Sequence, residues 1–445
     1  EQFKDLQKAV PRLGLVTIAN ENSPYTTGTG YCKNCHLINC SEYCENCYYG
    51  KLLQNCRDCV DCSYAYDSEL CYQCFSIYHC YSSCFLSYSQ NCTDCWFSEN
   101  LVGCSACLFC TNLQRQQFCV YNKPVGREDF QRTIAALHGS HEQFEKARAT
   151  WHDLRQSRLH KYANIVRSQN CTGDFITNSK NCRDCYDVND SEDCRYVCVG
   201  VNVKDMYDCS NVYLRQELNY QMLGTIGDYH CAFSIYTFHS TNVLYSDHIY
   251  HSQDLLGCVG LKRKRFCILN RQYSEPEYRV LAQKIVEHMK STGEWGRFFP
   301  IKYSPYAYNE TLAHDYFPLT ADQVRHKGWN WREAEEREYS AQGTTVPPDS
   351  IEQTNDNILQ QVLRCEITGQ HFKIIPQELA FYRKQQLPLP RRAPLQRHRD
   401  REALRSTRRV WQRPCAQCGK ETMSCFSPEQ PEALLCEECF LREVF

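Results

Sequence analysis

Counting in twelves from Cys32 meets a cysteine at nearly every step: Cys32, Cys44, Cys56, Cys80, Cys92 and Cys104, with Ser68 the one substitute. Three residues on, Cys35, Cys47, Cys59, Cys71, Cys95 and Cys107 repeat the pattern, and Ser83 is the exception. A fixed short period sustained over roughly 75 residues is the signature of a solenoid, each repeat being one coil stacked on the next. On this grid the columns beginning at 32, 35, 38 and 41 are small or apolar. The third reads Ile38, Gly50, Cys62, Cys74, Leu86, Ser98, Cys110, and the fourth Ser41, Leu53, Ala65, Ile77, Ser89, Leu101, Leu113. An inward residue at every third position predicts four short sides per coil and an interior too thin for bulky side chains throughout. At about 4.8 Å between coils, seven coils span roughly 34 Å. Asn34, Asn46, Asp58, Asn91 and Asp94 sit beside the cysteines, where corners need residues that tolerate tight turns.

The pattern breaks after Cys119, resumes at Cys182, Cys185, Cys194 and Cys209 with Val197 and Met206 filling slots, and decays through a Tyr/His/Ser-rich stretch to Cys258. Both runs close alike, Cys110 to Cys119 then Asn122, and Cys258 to Cys267 then Asn270, each followed by a helical segment. The expected fold is therefore mainly β: a cysteine-rich β-solenoid of 12-residue coils in two segments, with helical inserts and caps and a small C-terminal zinc-ribbon or treble-clef module. The expected divisions are a helical lead-in over 1–31, a first solenoid over 32–122, a helical insert over 123–169 and a second solenoid over 170–271. A helical and irregular cap over 272–339, a linker over 340–360, a degenerate zinc module with a basic segment over 361–413 and a four-cysteine module over 414–445 complete them. Thr320 and Gln323 stand at capping-box spacing.

The 445 residues allow two to four domains, and 42% hydrophobic with 23% charged residues describes an ordered soluble chain. A net charge of −2 excludes a uniformly nucleic-acid-coating surface. No run approaches 18 apolar residues, so a membrane span is not expected, and the expected location is the cytoplasm. The odd total of 33 cysteines argues against a complete disulfide framework. Three readings of the solenoid cysteines remain: reduced thiols packed as small hydrophobes, metal sites built from pairs on neighbouring coils, or disulfides. The serines sharing their columns favour packing, since Ser is a good small filler and a poor metal ligand.

Cys415-x2-Cys418 and Cys436-x2-Cys439 form the most specific motif. Two such knuckles supply the four tetrahedral thiolates that structural Zn²⁺ prefers, and four protein ligands leave no position open for catalysis. Gly419 suits the tight turn after the first pair, and Cys425 between the pairs is expected to pack. Before this motif, Arg383 to Arg413 holds eleven Lys/Arg against Asp400 and Glu402. A zinc module beside an arginine-rich segment suits phosphate backbones, which makes Arg391, Arg392, Arg397, Arg405, Arg408 and Arg409 candidate contacts for nucleic acid or a ribonucleoprotein, with Tyr382 and Trp411 as stacking residues. A solvated helix over Arg397 to Arg409 explains the same charge. Tyr48, Tyr49, Tyr72, Phe85, Trp96 and Phe97 fall in two adjacent columns as an aromatic stripe, either covered by the helical insert or facing a protein partner. No Gly-rich phosphate loop, GxSxG or HExxH occurs. His230, His239, His248 and His251 read as a coil surface ahead of a metal site.

The stretches ENCYYG, NCRDCVDC, NCTGDF, NCRDCYDVNDSEDC, LGCVGLKRKRFCILNRQY, GEWGRFFP, SPYAYNET and CAQCGKE with LLCEECF resemble an uncharacterised family of cysteine-rich, zinc-ribbon proteins abundant in candidate-phyla-radiation bacteria. The resemblance covers nearly the whole chain and implies a paired zinc module, with a further such module upstream of the solenoid. Here the first member of the pair is degenerate: Cys365 and Gly369 remain, Thr368 stands where a cysteine is expected, and Ala393 and Gln396 replace the pair around Pro394 and Arg397. Residues 365–413 are thus expected to keep the module's shape without its metal. The functional expectation is a non-enzymatic zinc-containing scaffold for a large partner. The alternatives are a metal-handling or thiol-buffering protein and a disulfide-hardened cell-surface structure.

Overall fold

The computed structural model describes residues 1–333 and 345–444, so the end of the expected cap and the start of the expected linker lie outside the described residues. Strands are the dominant regular structure, arranged in two long parallel sheets. One has twelve strands from Thr17–Ile18 to Lys123–Pro124, and the other ten strands from Ile165–Val166 to Arg271–Gln272. The parallel pairs between strands run at a step of twelve, as in Thr27 with Asn39, Asn39 with Lys51, Lys51 with Ser63 and Ser63 with Phe75, except at the start of the second sheet, where Ile165 pairs with Ile176. The sequence period is therefore the hydrogen-bonding register.

The backbone explains how so short a unit turns. From Tyr31 to Tyr88 a residue with φ near +50° recurs at every third position, Asn34, Leu37, Cys40, Tyr43 and Asn46 among them. A left-handed residue costs roughly 1–2 kcal/mol unless it is Gly, Asn or Asp, so the corners are stabilised from one unit to the next. The Asn46 N–H donates to the Lys33 carbonyl at 3.0 Å, and the Asn46 amide nitrogen donates to Asp58 Oδ1 at 2.9 Å. Asn34, Asn46, Asp58, Asn91 and Asp94 are all left-handed, as their places beside the cysteines predict.

Between corners the side chains turn inward. The two cysteine columns of the first sheet are fully buried together with Ile38, Leu53, Ala65, Ile77, Leu86 and Leu101. All 33 cysteines are free. Cys47 Sγ lies 3.4 Å from the Glu45 carbonyl oxygen and 3.5 Å from that of Cys56, and Cys59 repeats this with Arg57 and Ser68. Ser68 keeps the same habit, donating to the Tyr66 carbonyl at 2.9 Å. A thiol and a hydroxyl are interchangeable here because each satisfies a carbonyl while filling little space.

The second run does not decay; it changes phase. Leu214 and Arg215 are both left-handed, so one unit holds thirteen residues. The Gly227 N–H accordingly donates to the Tyr213 carbonyl at 3.0 Å, one residue further back than the step from Asn46 to Lys33. The inward positions then move by one, to Gln216, Asn219, Met222, Thr225, Asp228 and Cys231, all buried. This stretch has a polar interior closed on itself: Gln216 Nε2 donates to the Thr225 carbonyl at 2.6 Å and Asn219 Nδ2 to that of Asp228 at 3.1 Å. Both runs end on the same device. The Asn122 amide oxygen accepts from the Thr111 N–H and its nitrogen donates to the Thr111 carbonyl, both at 2.9 Å, in place of a further unit. Asn270 does the same for Val259.

The helices are α1 Gln2–Ala9, α2 Arg127–Ala135, α3 His141–Ser157, α4 Glu275–Ser291, α5 Leu312–Tyr316, α6 Ala321–His326, α7 Pro376–Lys384, α8 Pro394–Glu402 and α9 Glu437–Val444. The capping box at Thr320 and Gln323 opens α6. Phe144 and Trp151 of α3 lie over Phe85 at 5.6 Å each, and Tyr382 of α7 meets Tyr72 at the same separation. Tyr48, Tyr49, Tyr72, Phe85, Trp96 and Phe97 are consequently core residues, not a partner-facing stripe. Withdrawing each such side chain from water is worth roughly 1.5–3 kcal/mol. No helix among the described residues is long and apolar enough to cross a membrane.

Burial pushes Asp228 up to about 7, opposed by the Thr237 hydroxyl and the Ser240 N–H that bind its carboxylate. A carboxyl raised from its ordinary 3.8 stabilises the fold fully below pH 4, and that contribution is lost as pH rises toward 7. Thermal unfolding of the Asp228→Asn variant is therefore expected to be flatter between pH 4 and 7, and at pH 7.5 the variant gains up to roughly 3–4 kcal/mol. Parallel pH profiles for the two proteins would rule this out.

Candidate metal centre

The four-cysteine motif folds from two simple pieces. Trp411–Pro414 pairs antiparallel with Glu421–Ser424, and the hairpin between them carries Cys415 and Cys418. The Cys415 N–H donates to the Lys420 carbonyl and the Gly419 N–H to the Cys415 carbonyl, both at 2.9 Å, with Gly419 at φ +73° where a side chain would be strained. Cys436 immediately precedes α9 and Cys439 lies in its first turn. The four sulfurs all fall within 4.8 Å of one another, the one such group of ligand side chains among the described residues. Cys418 and Cys436 sulfurs are 3.8 Å apart. Metal–sulfur bonds near 2.3 Å in a tetrahedron require edges of about 3.8 Å, so the residues fit a metal ion. Burial raises the Cys415 thiol, but N–H groups of Cys436, Cys418 and Gln417 outweigh it and bring it down to about 6. Burial and the three surrounding sulfurs push Cys439 up to about 12. The module is joined to the rest through Leu434–Leu435, which pairs in parallel with His160–Lys161. Cys425 is buried outside the cluster, as expected.

The same hairpin occurs upstream. Leu363–Arg364 pairs with His371–Phe372, the Cys365 N–H donates to the Gln370 carbonyl at 2.8 Å, and the Gly369 N–H to the Cys365 carbonyl at 2.9 Å. Ala393 precedes α8 as Cys436 precedes α9, and Gln396 occupies the first turn as Cys439 does. Burial raises Cys365, but the Thr368 hydroxyl and the N–H groups of Ala393, Thr368 and Ile367 hold it below the ordinary thiol value. Thr368, Ala393 and Gln396 thus stand in the three other ligand places. Restoring them as Thr368→Cys, Ala393→Cys and Gln396→Cys is expected to add one bound metal ion per chain by elemental analysis; an unchanged count would show that the two hairpins differ in geometry.

The basic segment turns inward, which corrects its reading as a nucleic-acid face. Arg397 lies 2.8 Å from Asp61 and 3.0 Å from Glu378, with 3% of its side chain exposed. Arg401 reaches Asp61, Gln73 and the Tyr49 carbonyl at 3.1–3.2 Å. Arg405 and Arg408 both pair with Asp187, at 2.6 and 2.7 Å. Asp61 belongs to the first sheet's units and Asp187 to the second's, so the four arginines fasten the two sheets together. Burial would raise Asp187, but Arg405 and Arg408 hold it below its ordinary value. Arg392 bonds Glu366 and Asp400 at 2.8 and 2.7 Å, and Arg391 contacts the Pro347 carbonyl at 3.5 Å. Arg409 alone of the six is exposed. Tyr382 is fully buried and donates to Glu378 at 2.8 Å, so it does not stack on bases.

Sequence reasoning missed the acidic partners. Asp61 and Gln73 interrupt the column that otherwise reads Tyr49, Phe85, Phe97 and Phe109, and that interruption was the available signal. Glu99, bound by Arg155 and Arg158 at the end of α3, is a second such residue; burial would raise it, but the two guanidinium groups bring it down to about 2. Removing one member of a buried pair costs about 3–5 kcal/mol. Asp61→Asn is accordingly expected to lower stability by that amount in denaturant unfolding, while Arg409→Gln leaves it unchanged. Equal stability of the two variants would remove the arginine seam as a structural element.

No family model matches the chain and no curated protein matches it. Among solved structures, a candidate acetyltransferase of Desulfovibrio desulfuricans G20 aligns over 64% of this chain and 83% of its own length, at 8% identity and a TM-score of 0.12. At that score the alignment carries no argument about fold or chemistry.

Proposed function

We propose that this chain is a non-enzymatic scaffold for a large macromolecular partner, built from two β-solenoids of twelve-residue coils and one structural zinc in a C-terminal treble-clef module. The observation that carries the reading is the inward direction of its reactive groups. The thiols of the columns face carbonyl oxygens in a closed interior, and four arginines of the basic segment are spent on Asp61 and Asp187. What such an architecture offers a partner is length and regular surface, the usual use of stacked repeats. The in-register pairing at twelve residues and the left-handed residue at every third position support four-sided coils. Zinc is supported by four cysteine sulfurs within 4.8 Å of one another with no fifth ligand in the group among the described residues, an arrangement that stabilises rather than catalyses.

Elemental analysis together with a thiol count tests this. One zinc per chain, with 33 free thiols after denaturation with chelator, is the expected result. Several metal ions per chain would favour metal handling by the columns, and a thiol count near zero a disulfide-hardened structure.

A further inference from the structure

Several surface cations along the two sheets are balanced by an acid one unit away in the same column, and those without one, such as Arg115, Arg167 and Arg215, stand singly. Lys33 lies 3.4 Å from Glu21, Arg57 3.5 Å from Glu45, and Lys180 3.6 Å from Glu192, each pair twelve residues apart. Lys262, Arg263, Lys264 and Arg265 differ in being four consecutive cations. All four are exposed, and none has an ion-pair partner among the described residues. Their counterparts one unit back are Tyr250, His251, Ser252 and Gln253, and two units back Phe238, His239, Ser240 and Thr241, none of them acidic. The run lies in the closing unit, where Asn270 ends the ladder, so no further unit can supply the missing acids.

The run is also held in place. The Arg263 N–H donates to the Tyr250 carbonyl at 2.9 Å, the Lys264 N–H to Ser252 Oγ at 3.1 Å, and the Lys264 carbonyl accepts from the Gln253 N–H at 3.0 Å. Four cations are therefore held together on the closing unit, with a left-handed corner at Arg263, and with Lys264 in the column of Ser252. Leading up to them are two stacked pairs of rings. Phe238 and Tyr250 lie 5.1 Å apart with planes 5° from parallel, and the exposed His239 and His251 lie 5.2 Å apart at 11°. Unneutralised cations beside the exposed His239 and His251 rings are the two elements that recognise a single strand: the cations take phosphates, and the rings take unpaired bases.

We propose that the last unit of the second sheet, with the ring pairs leading to it, is a docking surface for single-stranded nucleic acid. This rests on the scaffold reading and names its partner. The short cation row and the adjacent rings favour a single strand over a duplex, which would offer phosphates but no free base faces.

The test uses the full chain and a fluorescein-labelled 20-nucleotide oligouridylate, read by anisotropy. Binding is expected to weaken with salt at a logarithmic slope of about −3, from four phosphate contacts on a single strand. Lys262→Gln, Arg263→Gln, Lys264→Gln and Arg265→Gln combined are expected to lower affinity at least tenfold, and His239→Ala with His251→Ala a few-fold. If the fourfold variant loses its thermal transition, the Lys262→Gln, Arg263→Gln pair is used, with a several-fold loss expected. An oligodeoxythymidylate of equal length separates RNA from DNA, and binding of either supports the proposal. Four results would overturn it: no binding at 50 mM salt, unchanged affinity in the variants, equal binding of polyglutamate, or binding of anionic lipid vesicles instead. A zinc count on the same sample keeps the outcomes apart, because a scaffold with one zinc that ignores the oligonucleotide loses only this surface.

Discussion

Everything in this molecule depends on a backbone that turns left-handed at every third residue and recovers the cost through parallel pairing at twelve. A single unit is unfavourable, because four left-handed corners have no compensation until a neighbour supplies hydrogen bonds and an asparagine ladder. Stability is accordingly a property of stacks, which is why both ends need attention. At the far end of each run an asparagine side chain imitates the missing unit, and a short antiparallel return and a helix follow.

The same geometry sets the chemistry of the cysteines. A unit with three residues to a side leaves room at its centre for small side chains, and each inward group must also meet carbonyl oxygens. Cysteine and serine do both; alanine, valine and leucine fill the remaining places. The sulfur-rich interior is in this sense a packing solution, and the metal-binding geometry appears where the chain abandons the repeat for a hairpin and a helix start. The arginine seam follows a related logic. Sheets of uniform units offer few features for docking, and Asp61, Gln73 and Asp187 provide them where the columns are interrupted.

Much of this was legible in the residues. The period, the register, the corner asparagines, the two matching closures and the four-cysteine cluster can all be read from spacing, because repetition multiplies each weak local signal. The helical cover over Tyr72, Phe85 and Phe97 was one of two readings the aromatic columns allowed. What spacing did not show was direction. Arg397 and Arg409 look alike in a list of charges, yet one is buried against Asp61 and the other faces water. The phase change at Leu214 and Arg215 was hidden for another reason. One inserted residue moves every later inward position by one, so a grid drawn from the earlier cysteines reads surface residues as core and takes order for decay.

That thirteenth residue also constrains how the chain can lengthen over generations. Gain or loss of a whole unit by unequal recombination is silent within either phase, since the units before and after still present small side chains to the axis. An exchange across Leu214–Arg215 that joins equivalent positions removes thirteen residues for one unit, and one that removes twelve leaves the extra corner to be housed in another unit. Each phase of the second run can therefore lengthen by twelves, while the extra corner stays as a single joint beside the polar interior of Gln216 and Asn219.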